Sequence, residues 1–406
     1  MVNEKMKRKI IMISTCSIAA LILVFSNSST ICLEVFFKFS LSDPNGPADR
    51  IYFNHYAAKG TIAFTPVAVD HRGYIYILAE KNKIQKLLVI DFRGQVKRIV
   101  TIKGQNNFDT MWLGVSPSGK WIWRLEHWDT VRYPKIRTHW ITVHDYQGRR
   151  IQSWQIKGHD STHWIFGVPD DNRAYALMLA SEPPYCFVFT IGKKQPQRFE
   201  APIRSHTSFH RGRFWFFTGC KELSENIGGP LLKEDPKQST SHENWLCVGT
   251  WSPEEMYRVI TKFKKTVDRI GIMQWIDEDG NLYCYDYEYR WDWLSNSIVN
   301  FLSKIKPLGN LITSLESSPK PAKVLLVLSQ KGKVLYRIVL QSLIRPVNGE
   351  NLDYGQLIKV DEKGIYMEVW RKWQNEREYR IIRITKKRRW QVWWETLRSW
   401  FSPDDI

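Results

Sequence analysis

The chain has 406 residues, a formal net charge of +18, and 43% hydrophobic and 14% aromatic side chains. That apolar content is ample for a large core and excludes wholesale disorder. The basic balance suits an anionic membrane face or an acidic polymer. Lys and Arg are spread along the chain with no zinc-finger spacing, recognition-helix pattern or RNP-type motif, and these partners rank above nucleic acid because the N-terminus argues for export.

In chain order, Lys5-Met6-Lys7-Arg8-Lys9 precedes an apolar run from Ile10 to Phe25, then Ser26-Asn27-Ser28-Ser29. A basic stretch, an apolar stretch and small residues are the parts of an export signal. As a helix the run covers about 24 Å against a hydrocarbon core of about 30 Å. Cleavage after Ser28 and retention as an anchor both remain open. If it is retained, the preceding basic residues keep the N-terminus cytoplasmic and put the rest outside. Residues 1–28 are thus expected to be a signal peptide or signal anchor helix, and 29–59 a linker.

A repeat follows over 60–395. Six times a small turn precedes a short aromatic and β-branched run: Asp70–Gly73 before Tyr74–Ile77, Ser116–Gly119 before Trp121–Trp123, Asp170–Asn172 before Ala174–Leu177, His210–Gly212 before Phe214–Phe217, Asp277–Gly280 before Leu282–Tyr285, and Asp361–Gly364 before Ile365–Met367. Each run is followed by another apolar run, a turn and a further strand, as in Leu87–Ile90, Asp91-Phe92-Arg93-Gly94 and Gln95–Val100. For the sixth unit the same pattern reads Tyr379–Ile384, a turn at Lys386-Lys387, and an outer strand Trp390–Trp393. With a strand before each first turn, as in Thr65–Val69 and Gly271–Ile276, every unit is a four-stranded meander. Such units cannot bury their own faces and must stack radially, which predicts an all-β, six-bladed β-propeller of four-stranded blades.

Long intervals mark two insertions. Lys221–Asn244, rich in Gly, Pro, Lys and Ser, reads as an exposed loop. In 286–322, Leu294, Ile298, Phe301, Leu302 and Ile305 recur at helical spacing until Pro307, predicting an inserted amphipathic helix. Past the repeat, Trp390, Trp393, Trp394, Leu397, Trp400 and Phe401 would form one stripe if helical, as on membrane-interface helices. The alternative makes Trp390–Trp394 the outer strand of the last blade, with 396–406 a tail.

Chemistry-bearing patterns are sparse. Walker loop, nucleophile elbow, HExxH and EF-hand ligand series do not occur, and no cofactor or metal is expected. His159, Asp160 and His163 precede one inner strand while His206 and His210 flank the next, so Asp160, His163, His206 and His210 are candidates to converge at the channel mouth. Cys220 ends one strand and Cys247 begins the next, so these two either bridge or stand as neighbouring buried thiols. The acids leading the turns, Asp70, Asp277 and Asp361, are explained by hydrogen bonding inside the turn.

The pattern Val69-Asp70-His71-Arg72-Gly73-Tyr74-Ile75-Tyr76, paired with Leu88–Gly94, resembles the NHL-type and TolB-like six-bladed propellers over most of 60–395. It is clear in the first, fifth and sixth units, while the third departs by using Asn172. That group includes binding scaffolds as well as lactonases and lyases, so the resemblance implies a fold before an activity. The metal-binding Glu, Asn and Asp set of the lactonase branch does not map onto particular residues of this chain. The expectation is an exported or membrane-anchored, non-catalytic binding module for a protein or anionic polymer. Its competitor is an extracytoplasmic hydrolase or lyase working at the channel mouth.

Overall fold

In the computed structural model, the residues described are 29–51, 66–102, 109–129, 137–157, 164–179, 183–202, 207–219, 245–264, 273–288, 322–340, 351–373 and 376–388. The first strand, β1 (Ser29–Ser40), belongs to the last sheet. Blade 1 takes its inner position from two short pieces, β2 (Arg50–Ile51) and β3 (Val67–Val69), both pairing with β4 (Ile75–Lys81), then β5 (Ile84–Ile90) and β6 (Val96–Thr101). Blade 2 is β7 (Asp109–Val115), β8 (Trp121–Asp129), β9 (Arg137–Asp145) and β10 (Arg150–Lys157); blade 3 is β11 (Trp164–Gly167), β12 (Arg173–Met178), β13 (Tyr185–Thr190) and β14 (Gln197–Glu200). Blade 4 is β15 (Thr207–His210), β16 (Arg213–Gly219), β17 (Trp245–Ser252) and β18 (Glu255–Lys264); blade 5 is β19 (Met273–Ile276), β20 (Leu282–Glu288), β21 (Ala322–Leu328) and β22 (Val334–Val339). Blade 6 is β23 (Asn351–Asp361), β24 (Gly364–Trp373) and β25 (Glu376–Arg388), completed by β1 on its outer edge.

Inner strands β3, β7, β11, β15, β19 and β23 each touch the next, and β23 returns to β3. The ring is therefore closed, and the molecule is a six-bladed β-propeller. Its core is six separate layers, one at each junction between blades. The period-2 alternation of the strands explains this, since each sheet must cover both faces. On β12, Ala174, Ala176 and Met178 face blade 2 while Tyr175 and Leu177 face blade 4. The two alanines leave room for Trp123 and Trp154, which stack at 5.8 Å with planes 8° apart, and Phe189 meets Trp154 edge-on at 5.5 Å. Part of the tryptophan content is thus the filling between wedge-shaped blades.

The sixth blade corrects the sequence reading. No turn interrupts the chain at Lys386-Lys387: these residues continue β25 and pair with Ile31 and Thr30 of β1. The outer strand comes from 29–40, read above as linker, and Trp390–Trp394 lie outside the described residues. The physical reason is that the β25 edge needs one partner, and β1, with Phe37 and Phe39 buried against Ile381 and Tyr379, supplies it. Residues 286–288 and 322 are also strand rather than insertion, since Asp286 pairs with Val324 and Glu288 with Ala322. The helical insertion proper, the loop from 221 to 244, the segment 1–28 and the tail 396–406 lie outside the described residues, among which no helix is long and apolar enough to cross a membrane.

Strand polarity sorts the connections. The first-to-second strand turns of all six blades and the third-to-fourth turns of blades 1 to 5 fall on one face and are short, such as 70–74 and 91–95 in blade 1. The opposite face receives the second-to-third and blade-to-blade connections, including 220–244 and 289–321. The outer tight turn of a blade packs onto the outer strand of the preceding one. At Gly94 (φ +77°) an added Cβ would stand 1.9 Å from the Phe36 carbonyl oxygen of β1, and at Gly148 it would stand 2.2 Å from that of Thr101 on β6. In blade 3 the contact is polar: Trp154 Nε1 of β10 donates to Lys193 O at 2.9 Å and Gln152 Oε1 accepts from Gly192 N at 2.8 Å.

Candidate functional site

On the tight-turn face the leading carboxylates of blades 1 and 5 are consumed by their own turns. Asp70 accepts from the backbone N–H groups of Arg72 and Tyr74 at 2.9 and 3.0 Å, from Arg72 Nη2 at 2.8 Å and from Tyr76 Oη at 3.0 Å. Burial and the Asp70 charge push the Tyr76 phenol up to about 12, so it donates throughout the physiological range. Asp277 repeats the arrangement with Asn281 N at 2.8 Å and Tyr283 Oη at 3.1 Å, and Tyr283 is likewise raised, by burial first and by Asp277 second. A carboxylate whose lone pairs are filled by hairpin donors fixes the hairpin and is not free to act on a substrate.

Between the first turns of blades 2 and 3 lies a shallow recess lined by Pro117, Pro169, Asp170, Asp171, Asn172, Arg173 and Thr190. Asp171 Oδ1 accepts from Ser118 N across the junction at 3.1 Å. Burial raises the Asp171 carboxyl, but hydrogen bonds from Ser118 and Ser116 outweigh it and hold the group below its ordinary value. Arg173 bridges Asp170 at 2.5 Å and reaches Glu254 of blade 4. The recess can hold a small polar group, but its charges already answer one another and it contains no nucleophile beside a base.

Of the candidate residues, His210 ends β15, with its ring edge-on to Trp275 of β19 at 4.5 Å and its carbonyl accepting from Trp215 Nε1 at 3.0 Å. That is the tight-turn end of the strand. Asp160, His163 and His206 lie outside the described residues, in segments that precede the opposite ends of β11 and β15. Residue 207 is already about 10 Å from His210 along the strand. Cys247 is disulfide-bonded and buried, and Cys220, its candidate partner, lies outside the described residues.

A buried polar set at the junction of blades 1 and 2 was missed by the sequence reading. Arg124 on β8 donates to Gln85 Oε1 of β5 at 2.6 Å and pairs with Glu126 Oε1 at 2.6 Å. On β9 beside it, His144 lies within 3.4 Å of Gly148 O and 3.3 Å of Thr142 Oγ1. Burial, then the Arg124 charge, lower His144 to about 3, so the ring is neutral. The signal was the i, i+2 spacing of Ile122, Arg124 and Glu126, which places them on one strand face. Among the described residues no group of three or more His, Cys, Asp or Glu is arranged to hold a metal ion.

No protein-family model matches the sequence, and no curated protein matches it. Among solved structures, similarity extends to a chain of the mitotic checkpoint complex at 7% identity, covering 86% of this chain and 91% of that one, with a TM-score of 0.41. It extends also to a structure of YCF48 bound to D1 peptide, at 9% identity, 84% and 82% coverage and TM-score 0.38. A prolyl endopeptidase aligns at 12% identity and TM-score 0.37 over 89% of this chain, which spans half the length of that one. The fold itself rests on the strand pairing and the six junction cores.

Proposed function

We propose that the protein is an exported, membrane-tethered and non-catalytic propeller that presents the face carrying its long connections to a protein or anionic polymer partner. The observation that carries this reading is the segregation of connections. One face is built of short turns, with Asp70 and Asp277 locked into their hairpins, and the long connections within blades 4 and 5, 220–244 and 289–321, leave from the other. Variable loops on a rigid ring are the usual way a scaffold offers a binding surface. The basic stretch and apolar run ahead of β1 support export, and the net charge of +18 supports an acidic partner surface.

Ile84, exposed next to the Asn82-Lys83 turn on the long-connection face, gives the test. An Ile84→Cys variant of the full chain, expressed in a bacterial host, is expected to react with a membrane-impermeant maleimide in spheroplasts above the level of the parent chain. Labelling that appears only after lysis overturns the reading.

A further inference from the structure

From the way the first strand leaves the ring, we infer that the tight-turn face over blades 6, 1 and 2 docks on an anionic lipid surface; this rests on the tethered reading above. The pairing of β24 with β25 ends at Ile365 and Ile384, yet β1 and β25 continue for four more rungs, from Cys32–Thr385 to Ser29–Arg388. This two-stranded ribbon runs about 13 Å beyond the Ile365–Ile384 rung and so past the tight turn that Gly364 closes. Its tip carries Ser29, three residues after the start of Ser26-Asn27-Ser28 and four from the last apolar residue, Phe25. Four residues reach at most about 14 Å. The 12-residue β1 alone is about 40 Å long, so an apolar run held in a bilayer cannot leave that bilayer on the far side of the ring.

The surface beside the ribbon fits that neighbour. Phe92, at the tip of the turn strapped over β1, is 49% exposed and is covered by Arg93 and Lys363 at 5.4 and 5.3 Å from its ring centroid. Tyr146, on the equivalent turn of blade 2, is 47% exposed and carries Arg98 at 5.6 Å. Exposed Ile31, Val35, Val96 and Ile151 lie close to the same rim. Nearby acids are largely engaged: Asp91 in its turn, Glu34 with Arg383, Asp145 with Arg149 and Asp361 with Lys359, leaving Glu362 exposed. Aromatic and aliphatic side chains ringed by cations at one rim are the composition that settles at a headgroup layer. Each Lys or Arg held near an anionic leaflet favours docking about fivefold.

The test uses the full chain reconstituted in vesicles of phosphatidylcholine alone or mixed with phosphatidylglycerol, with a photo-crosslinking benzoylphenylalanine at position 92, 146 or 84. The expected result is flotation with the vesicles, lipid adducts from 92 and 146 but not 84, and several-fold higher yield with phosphatidylglycerol. An Arg93→Gln/Lys363→Gln variant is expected to lose that gain at position 146. A chain that floats but forms adducts from 84, or none from 92 and 146, overturns the docking face while leaving the tether intact. Adducts indifferent to phosphatidylglycerol also overturn it, and a chain that fails to float overturns the tether with it.

Discussion

His144 gives a pH dependence that can be worked from its surroundings. Its imidazole is 1% exposed, packed beside Arg124, and held to about 3 against an ordinary value of 6.5. A group whose folded value lies below its unfolded value binds more protons in the unfolded chain across the interval between them. Its contribution is therefore complete above about pH 6.5 and is lost progressively as pH falls toward about 3. At pH 5 the loss amounts to about 2 kcal/mol. For a domain of this size that corresponds to about 2–3 °C in Tm. His144→Gln keeps a polar group near Thr142 and Gly148 but cannot titrate. Thermal unfolding of parent and variant at pH 7.5 and pH 5 isolates the effect, because the other titrating groups are common to both. The variant is expected to fall less on acidification, by about the 2–3 °C above. Parallel falls in the two proteins would refute the claim that the ring is neutral in the fold.

Two further outcomes bear on how the ring is held. Gly94→Ala places a methyl 1.9 Å from the Phe36 carbonyl oxygen at a φ of +77°, and is expected to cost at least about 2 kcal/mol; amide exchange should accelerate across 29–40 and stay slow in β8 and β9, and uniform acceleration would argue against a strap local to β1. Non-reducing peptide mapping is expected to link Cys247 to Cys220, with Cys247→Ser costing about 2–4 kcal/mol, and a peptide joining Cys247 to Cys16 would count against the assignment.

Much of the ring could be read from local pattern, because a hairpin writes its own signature. Asp277-Glu278-Asp279-Gly280 before Leu282–Tyr285 carries the turn donors, the acceptor and the alternating strand within nine residues. The sixth outer strand has no such signature. Glu34 and Arg383 meet at 2.6 Å from positions 349 residues apart, and a bulge between Val35 and Phe37 breaks the alternation that would mark β1. Lys386-Lys387 resembles a turn in composition, yet an edge ladder accepts any side chain that can point to solvent. Arg124 and Glu126 went unremarked for a related reason: charges two apart on a strand fit a wet face as well as an enclosed one, and the blade opposite decides which. His210 illustrates a fourth limit, since flanking an inner strand does not say at which end of it a residue stands.

The closure of blade 6 by β1 has a consequence for how the protein is made. The contact order of that one sheet is set by almost the full span between residues 29 and 388. A growing chain must keep its first strand as an open edge until its last strand exists, during which time the edge is a template for foreign strands. Permuting the chain so that 29–40 follow 388 would make that hairpin local, and would convert the longest-range pairing of the ring into an ordinary neighbour pairing.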